Sequence, residues 1–327
     1  MMELGLDEIA DDVKRRFRVH IIEASPIDKG WLNVKWKVMT NEGPCFLKLY
    51  HPERYKLHLH PDRRIAIEKT LQLQDGMSEA GVPAPYVLAD YGQYLQATPS
   101  GRHYAMMDWV DGYNAMAGFM TSDQMYDLGR VTGRMHKWLQ AVPLLDKPVW
   151  KPDKAAYLRD WQTNWDKAAA AGDDTVMEWL RRSHDIAVSA DFHIHDRSPI
   201  GWLHWDLWVD NLLLNEQRVA GIVDFDRMTV GYPEMDVARA ILSGSLRDGH
   251  LQLETAKSFV DGYRTQQELP HGTLSRAIRM LYFFESIWWL RTEIREESEL
   301  RSLLGRFVEE IHWIQDHWST LLELDEL

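Results

Sequence analysis

The chain has 327 residues, 45% hydrophobic and 27% charged, an ordinary globular composition with enough length for one large domain or two lobes. Its formal charge of −13, from 37 basic and 50 acidic residues, argues against nucleic acid as a partner, because an acidic surface repels phosphate backbones. A single cysteine, Cys45, excludes an intrachain disulfide. Neither a signal-peptide core in Met1 to Arg18 nor a run of about 18 apolar residues is present, so a cytoplasmic protein without a membrane partner is expected.

In chain order, the first third reads as a small sheet with one helix. Residues 18–24 form a first strand. Leu32, Val34, Trp36 and Val38 then alternate with polar residues, the period of a half-buried strand. Asn41 to Pro44 is a turn, and Cys45 to Tyr50 a third strand with Leu47 and Leu49 on one face and Phe46 and Lys48 on the other. A helix is predicted over Pro61 to Ala80, with proline at its start and Gly81 past its end. Two more strands are placed near 86–97 and 103–110.

From residue 121 the pattern turns helical. Thr121 and Gln124 make a capping box ahead of an apolar face of Leu128, Val131 and Met135, and more helix follows over 153–190. A short β interlude occupies 201–230. The remainder, 234–325, reads as helix broken near Pro270 to Gly272. The fold class is α+β: a small antiparallel sheet lobe over 1–107, a hinge over 108–113, and a mainly helical lobe with one β-hairpin over 114–327.

The chemistry concentrates in Leu203-His204-Trp205-Asp206-Leu207-Trp208-Val209-Asp210-Asn211, followed by Ile222-Val223-Asp224-Phe225-Asp226. Alone, a loop aspartate is usually a cap or a solvated charge, and an asparagine a turn residue. An H-x-D-x4-N pattern followed by I-V-D-F-D at this spacing is specific. It gathers hard oxygen ligands suited to a divalent cation and a carboxylate suited to accepting a proton.

This stretch resembles the signature of the aminoglycoside phosphotransferase and choline kinase superfamily. Gly231-Tyr232-Pro233-Glu234-Met235-Asp236 extends the likeness, as do Leu128 to His136 and the hinge-like Met107 to Gly112. The resemblance implies a two-lobed protein-kinase-like fold. It also implies an ATP- and Mg2+-dependent transfer of phosphate to a hydroxyl of a small molecule: an amine, amino alcohol, amino sugar or antibiotic. Homoserine-kinase-like, fructosamine-kinase-like, spore-coat-associated and stress-response members all remain open. Two further readings stay beside it, a protein Ser/Thr kinase and a catalytically silent scaffold.

Under the resemblance, Asp206 is the catalytic base and Asn211 and Asp224 hold the metal. Lys48 on the third strand contacts the ATP phosphates and pairs with Glu68 on the following helix. Gly30 and Asn33 offer backbone N–H groups to the phosphates, and Asp108 and Val110 read adenine through the backbone. His136 and His204 are structural, and Asp236 braces the catalytic loop. Asp226 is a spare metal ligand or a structural acceptor. One departure is Trp205, where the family carries glycine. It is expected to point away from the phosphate path or to line the acceptor pocket. Asp210 and a helix face bearing Glu285, Trp288 and Trp289 complete the candidate acceptor residues, the last three suited to an amine by charge and cation–π attraction. The alternative for that face is an amphipathic core helix.

Overall fold

A computed structural model describes residues 5–28, 33–144, 147–297 and 300–327. The chain divides into two compact units, Met1–Tyr113 with Ala220–Asp226, and Asn114–Val219 with Arg227–Leu327. The segment expected to be a hinge, 108–113, thus stays with the first unit, and 220–226 joins it. The local cause of the second difference is visible. Ile222 donates its N–H to the Pro83 carbonyl at 2.7 Å. Gly221 packs so closely on Val110 that a Cβ there would lie 2.9 Å from Val110 Cγ1.

The first unit is built on a five-stranded sheet of β1 (Ile21–Pro26), β2 (Asn33–Thr40), β3 (Gly43–Tyr50), β4 (Gln96–Ala97) and β5 (His103–Asp108), in the order β1-β2-β3-β5-β4. The register pairs Trp36 with Leu47 and Lys35 with Lys48 across β2 and β3. Because side chains alternate between faces, the sheet has two different surfaces. Trp36, Val38, Leu47, Leu49 and Met106 pack with Ile9 and Val13 of α1 (Leu6–Phe17). Tyr50, Ala105 and Met107 pack with Ile67 and Leu71 of a later helix, after α2 (Pro52–Tyr55), namely α3 (Pro61–Glu79). The sheet therefore carries a helix on each face, where one was expected. In α1, Asp7 and Glu8 open the helix and Lys14, Arg15 and Arg16 close it, matching the helix dipole. Ile9 and Val13, one turn apart, seal the sheet.

After a two-residue strand, β6 (Tyr113–Asn114), the second unit begins with α4 (Ser122–Leu139), which starts with the expected capping box between Thr121 and Gln124. The helices α5 (Lys154–Ala171) and α6 (Asp174–Ser189) follow. The β interlude contains β7 (Gly201–Leu203), β8 (Leu212–Leu214), β9 (Val219–Ile222) and β10 (Thr229–Gly231), with β10 antiparallel to β7. Then comes α7 (Glu234–Ser245), all of whose 12 residues are buried. The stretch read as helix is interrupted by a hairpin, β11 (Leu246–Arg247) and β12 (His250–Leu251). Asp248 and Gly249 both sit at positive φ, 51° and 71°, the Asp-Gly signal of a tight two-residue turn. Among the described residues α8 (Leu253–Arg264), α9 (Thr273–Trp289), α10 (Thr292–Glu296) and α11 (Arg301–Asp316) follow, and then a 3-10 helix over Leu321–Glu326.

Two glycines bring α4 and α8 into backbone contact. A Cβ on Gly129 would lie 2.0 Å from the Phe259 carbonyl oxygen, and one on Gly262 1.9 Å from that of Tyr126. Among the described residues no helix is long and apolar enough to cross a membrane.

Candidate active site

A helix buried on every side must have its charges paired, and α7 meets this condition. Arg276 binds Glu234 through Nε at 2.8 Å and Nη2 at 2.5 Å. Arg239 is held by Glu285 and Glu310, each at 2.5 Å. Asp236 turns to the loop that follows β7. It accepts the backbone N–H of His204 at 2.7 Å and that of Trp205 at 3.0 Å. His136 of α4 lies 3.2 Å from the same carboxylate, and its other ring nitrogen lies 3.0 Å from the Tyr263 hydroxyl. The bracing role expected of Asp236 and the structural role expected of both histidines have these contacts beneath them.

The loop itself is closed by its own side chains. Asp206 donates its N–H to His204 Nδ1 at 3.3 Å. Asn211, in a 3-10 turn over Val209–Asn211, donates its Nδ2 to the Asp206 carbonyl at 2.9 Å and to the Asp206 carboxylate at 3.1 Å. Both of these bonds use the amide nitrogen and neither uses the amide oxygen. Asp210 is exposed, and its carbonyl accepts from Asn114.

Trp205 adopts φ 67°, a left-handed conformation that costs an ordinary residue roughly 1–2 kcal/mol, which explains why glycine suits this position. Its ring makes edge-to-face contacts with Phe284 at 5.0 Å and Trp150 at 6.5 Å, and those two rings meet at 5.6 Å. All three are half-buried. The ring also covers Gly231, where a Cβ would sit 3.0 Å from Trp205 Cζ3.

Of the helix face expected to meet a cationic acceptor, Glu285 and Trp289 turn to the core and Trp288 does not. Glu285 neutralises buried Arg239 and also accepts the Trp289 indole N–H at 2.6 Å. Trp289 is buried and stacks on Phe307 at 4.1 Å. Trp288 is exposed, with the Arg291 guanidinium 4.2 Å above its ring. The carboxylate that would attract an amine is thus taken by an internal cation.

In the first unit, Lys48 is buried in the middle of β3 and its Nζ meets two carboxylates, Asp224 at 2.8 Å and Asp226 at 2.7 Å. Burial works against its positive charge, but the two aspartates outweigh it and hold its pKa well above the ordinary lysine value. Lys35, directly opposite on β2, approaches Asp224 at 3.6 Å. Asp226 also accepts from Tyr55 and from Asn33 Nδ2, both at 3.0 Å. Asn33 therefore contributes its side chain, and its Oδ1 is buried without a hydrogen-bond partner. Gly30 lies outside the described residues.

The expected Lys48–Glu68 pair does not form. Glu68 accepts the backbone N–H groups of Tyr94 at 3.0 Å and Leu95 at 2.7 Å, tying that segment to α3. At the end of β5, Asp108 gives its N–H to the Tyr86 carbonyl at 2.9 Å, which removes that group from any adenine contact. Val110 contributes its side chain to the packing on Gly221.

Tyr50, Tyr55 and Lys35 were not singled out by sequence. Lys35 had a signal, since its alternation with Trp36 and Val34 puts it on the face of Lys48. Tyr55 had none, because it lies in a four-residue helix with no period to read.

A model of the phosphotransferase enzyme family matches residues 23–270. The homoserine kinase of Rhizobium meliloti (strain 1021) is 24% identical over 280 residues, covering 81% of this chain and 79% of that protein. The homoserine kinase of Bradyrhizobium sp. (strain BTAi1 / ATCC BAA-1182) is 23% identical over 301 residues, covering 89% and 85%. In fold, the chain is similar to a microcompartment-associated aminopropanol kinase, with a TM-score of 0.62, 21% identity and 97% and 98% of the two chains covered. It is similar also to spectinomycin phosphotransferase, with a TM-score of 0.62, 15% identity and 98% and 97% covered. With the family model spanning the sheet, the H-x-D-x4-N loop and the I-V-D-F-D segment, this chain belongs to the phosphotransferase enzyme family.

Proposed function

We propose that the protein transfers the γ-phosphate of ATP, with Mg2+, to the hydroxyl of a small amino alcohol. The observation that carries this reading is the Asp206–Asn211 pair. One amide nitrogen holds the carboxylate at 3.1 Å and the carbonyl of the same residue at 2.9 Å, without using the amide oxygen. The acceptor class follows the curated relatives, which are homoserine kinases over most of their length, and the aminopropanol kinase that shares the fold.

Asn211 carries an amide oxygen and Asp224 a carboxylate whose side chain is 32% exposed, each the kind of hard oxygen donor that magnesium takes beside phosphates and water. A bound ion would neutralise charge on the nucleotide's phosphates. Lys48 contacts the nucleotide's phosphates. Asp206 orients the acceptor hydroxyl and takes its proton as the oxygen forms a bond to the γ-phosphorus and the bond from that phosphorus to the β-phosphate oxygen breaks, leaving ADP. Because Asn211 and the His204–Asp236 contacts immobilise Asp206, the hydroxyl meets a base already in place.

The test is ADP release with ATP and Mg2+ in the presence of L-homoserine, aminopropanol or spectinomycin. An amino alcohol is expected to raise release well above the water background. Release raised by spectinomycin alone would overturn the acceptor class, and nucleotide binding with no transfer to any of the three would favour a scaffold.

A further inference from the structure

We propose that Asp226, and not Glu68, is the carboxylate that positions Lys48 for the nucleotide. The inference rests on the ATP-dependent reading above and assigns a separate task to each of the two aspartates of Ile222-Val223-Asp224-Phe225-Asp226.

Lys48 Nζ is about equally close to both, at 2.8 and 2.7 Å, so the difference in exposure and the donors gathered on Asp226 distinguish them. Asp226 Oδ2 receives Lys48 at 2.7 Å, Tyr55 Oη at 3.0 Å and Asn33 Nδ2 at 3.0 Å, while Oδ1 faces Tyr50 Oη at 3.4 Å. Its side chain is 13% exposed. Three donors leave Oδ2 no lone pair for a metal, and Oδ1 is turned to the Tyr50 hydroxyl. The two tyrosine rings meet edge to face at 5.2 Å, which fixes both hydroxyls toward the carboxylate. Burial raises both phenol pKa values, so both groups stay protonated donors.

Asp224 is more open, at 32% against 13%, and Lys35 approaches it at a loose 3.6 Å. It can give up lysine for a cation. When it does, Asp226 is the carboxylate of the first unit that still holds the buried Lys48 charge, so the lysine is already oriented when the nucleotide's phosphates meet it. Asp226 is built to remain. In protein kinases a glutamate of the following helix performs this task. Here that helix's Glu68 is committed to the N–H groups of Tyr94 and Leu95, three contacts of 3.2 Å or less. The positioning carboxylate therefore arrives from the segment after β9 that also carries the metal aspartate, so one segment delivers both functions.

The experiment measures ADP binding to the full-length protein by calorimetry, once with Mg2+ and once with EDTA, for the wild type and for Asp226→Asn, Glu68→Gln, Lys48→Ala and the Lys48→Ala/Asp226→Asn pair. Asp226→Asn is expected to weaken ADP binding about tenfold, by the same factor with and without metal. The double variant should bind no more weakly than Lys48→Ala alone, and Glu68→Gln should stay within about twofold of the wild type. A loss confined to Mg2+ would make Asp226 a metal ligand and overturn the proposal, as would a Glu68→Gln loss beside a silent Asp226→Asn. Wild-type protein that binds no ADP would sink the nucleotide reading itself. Should Asp226→Asn not fold, Tyr55→Phe removes one bond from the same carboxylate. Its expected result is a smaller, metal-independent loss, and unchanged ADP affinity would count against the assignment.

Discussion

Asp236 receives the backbone N–H of Trp205 at 3.0 Å, so a residue of the buried helix α7 sets the path of the loop that presents Asp206. The same carboxylate takes the N–H of His204 at 2.7 Å. A hydrogen bond to a buried charged group contributes about 1.5–3 kcal/mol. Asp236→Asn keeps the shape and removes the charge. It should lower unfolding free energy by about 2 kcal/mol in urea titration and lower kcat about tenfold, while ADP affinity measured by calorimetry stays within about twofold. A variant with wild-type kcat would show that the loop does not depend on this anchor.

Trp205 supports a prediction with an unusual order. Glycine is normally the less stable substitute because it loses more chain entropy on folding. At φ 67° the order should reverse, since alanine retains the left-handed strain and glycine does not. Trp205→Gly is expected to be more stable than Trp205→Ala by about 1 kcal/mol, read as a difference in urea midpoints. Both variants lose the contacts with Phe284 and Trp150 and should change KM for the acceptor more than KM for ATP. Equal stabilities would contradict the strain argument.

Asp206 and Asp224 should separate chemistry from binding. Asp206→Asn is expected to reduce phosphate transfer by at least about 100-fold, the range of a general base, with ADP binding unchanged. Asp224→Ala should abolish the gain in ADP affinity that Mg2+ brings, so that titrations with Mg2+ and with EDTA coincide. An Asp206→Asn enzyme at full rate would contradict the base assignment. A preserved Mg2+ effect in Asp224→Ala would remove that residue from the metal site.

His312 sets a pH prediction. Burial, with Arg182 nearby, lowers its pKa from the ordinary 6.5. Above 6.5 the ring is neutral in both the folded and unfolded chain and adds nothing to the pH dependence. Below it the unfolded chain gains a proton that the folded protein resists, so stability falls with pH from about 6.5 down to the folded pKa. Lowering the pH from 7.5 to 5.5 should therefore reduce Tm, and His312→Gln should flatten that slope in a thermal melt series. An unchanged slope would assign the acid sensitivity to other groups.

The amino-acid sequence by itself determined the succession of a sheet region, helices and a β interlude, the H-x-D-x4-N loop, the I-V-D-F-D segment and the family, because these depend on local periodicity and on spacing along the chain, though it did not give α1 or the β11–β12 hairpin. The capping box at Thr121 and Gln124 was legible for the same reason, as it closes within four residues. The partner of each charge was decided only by tertiary structure. Glu68 read as the partner of Lys48, yet the folded sheet brings Asp226, 178 positions along the numbering, to that lysine and gives Glu68 to two backbone amides. Glu285 read as a lure for an amine, but Arg239 from α7 neutralises it in the core. A carboxylate on a helix face looks the same in sequence whether it meets solvent, substrate or a buried guanidinium. Electrostatic pairing acts through space, and chain-distant neighbours exist only once the core has closed.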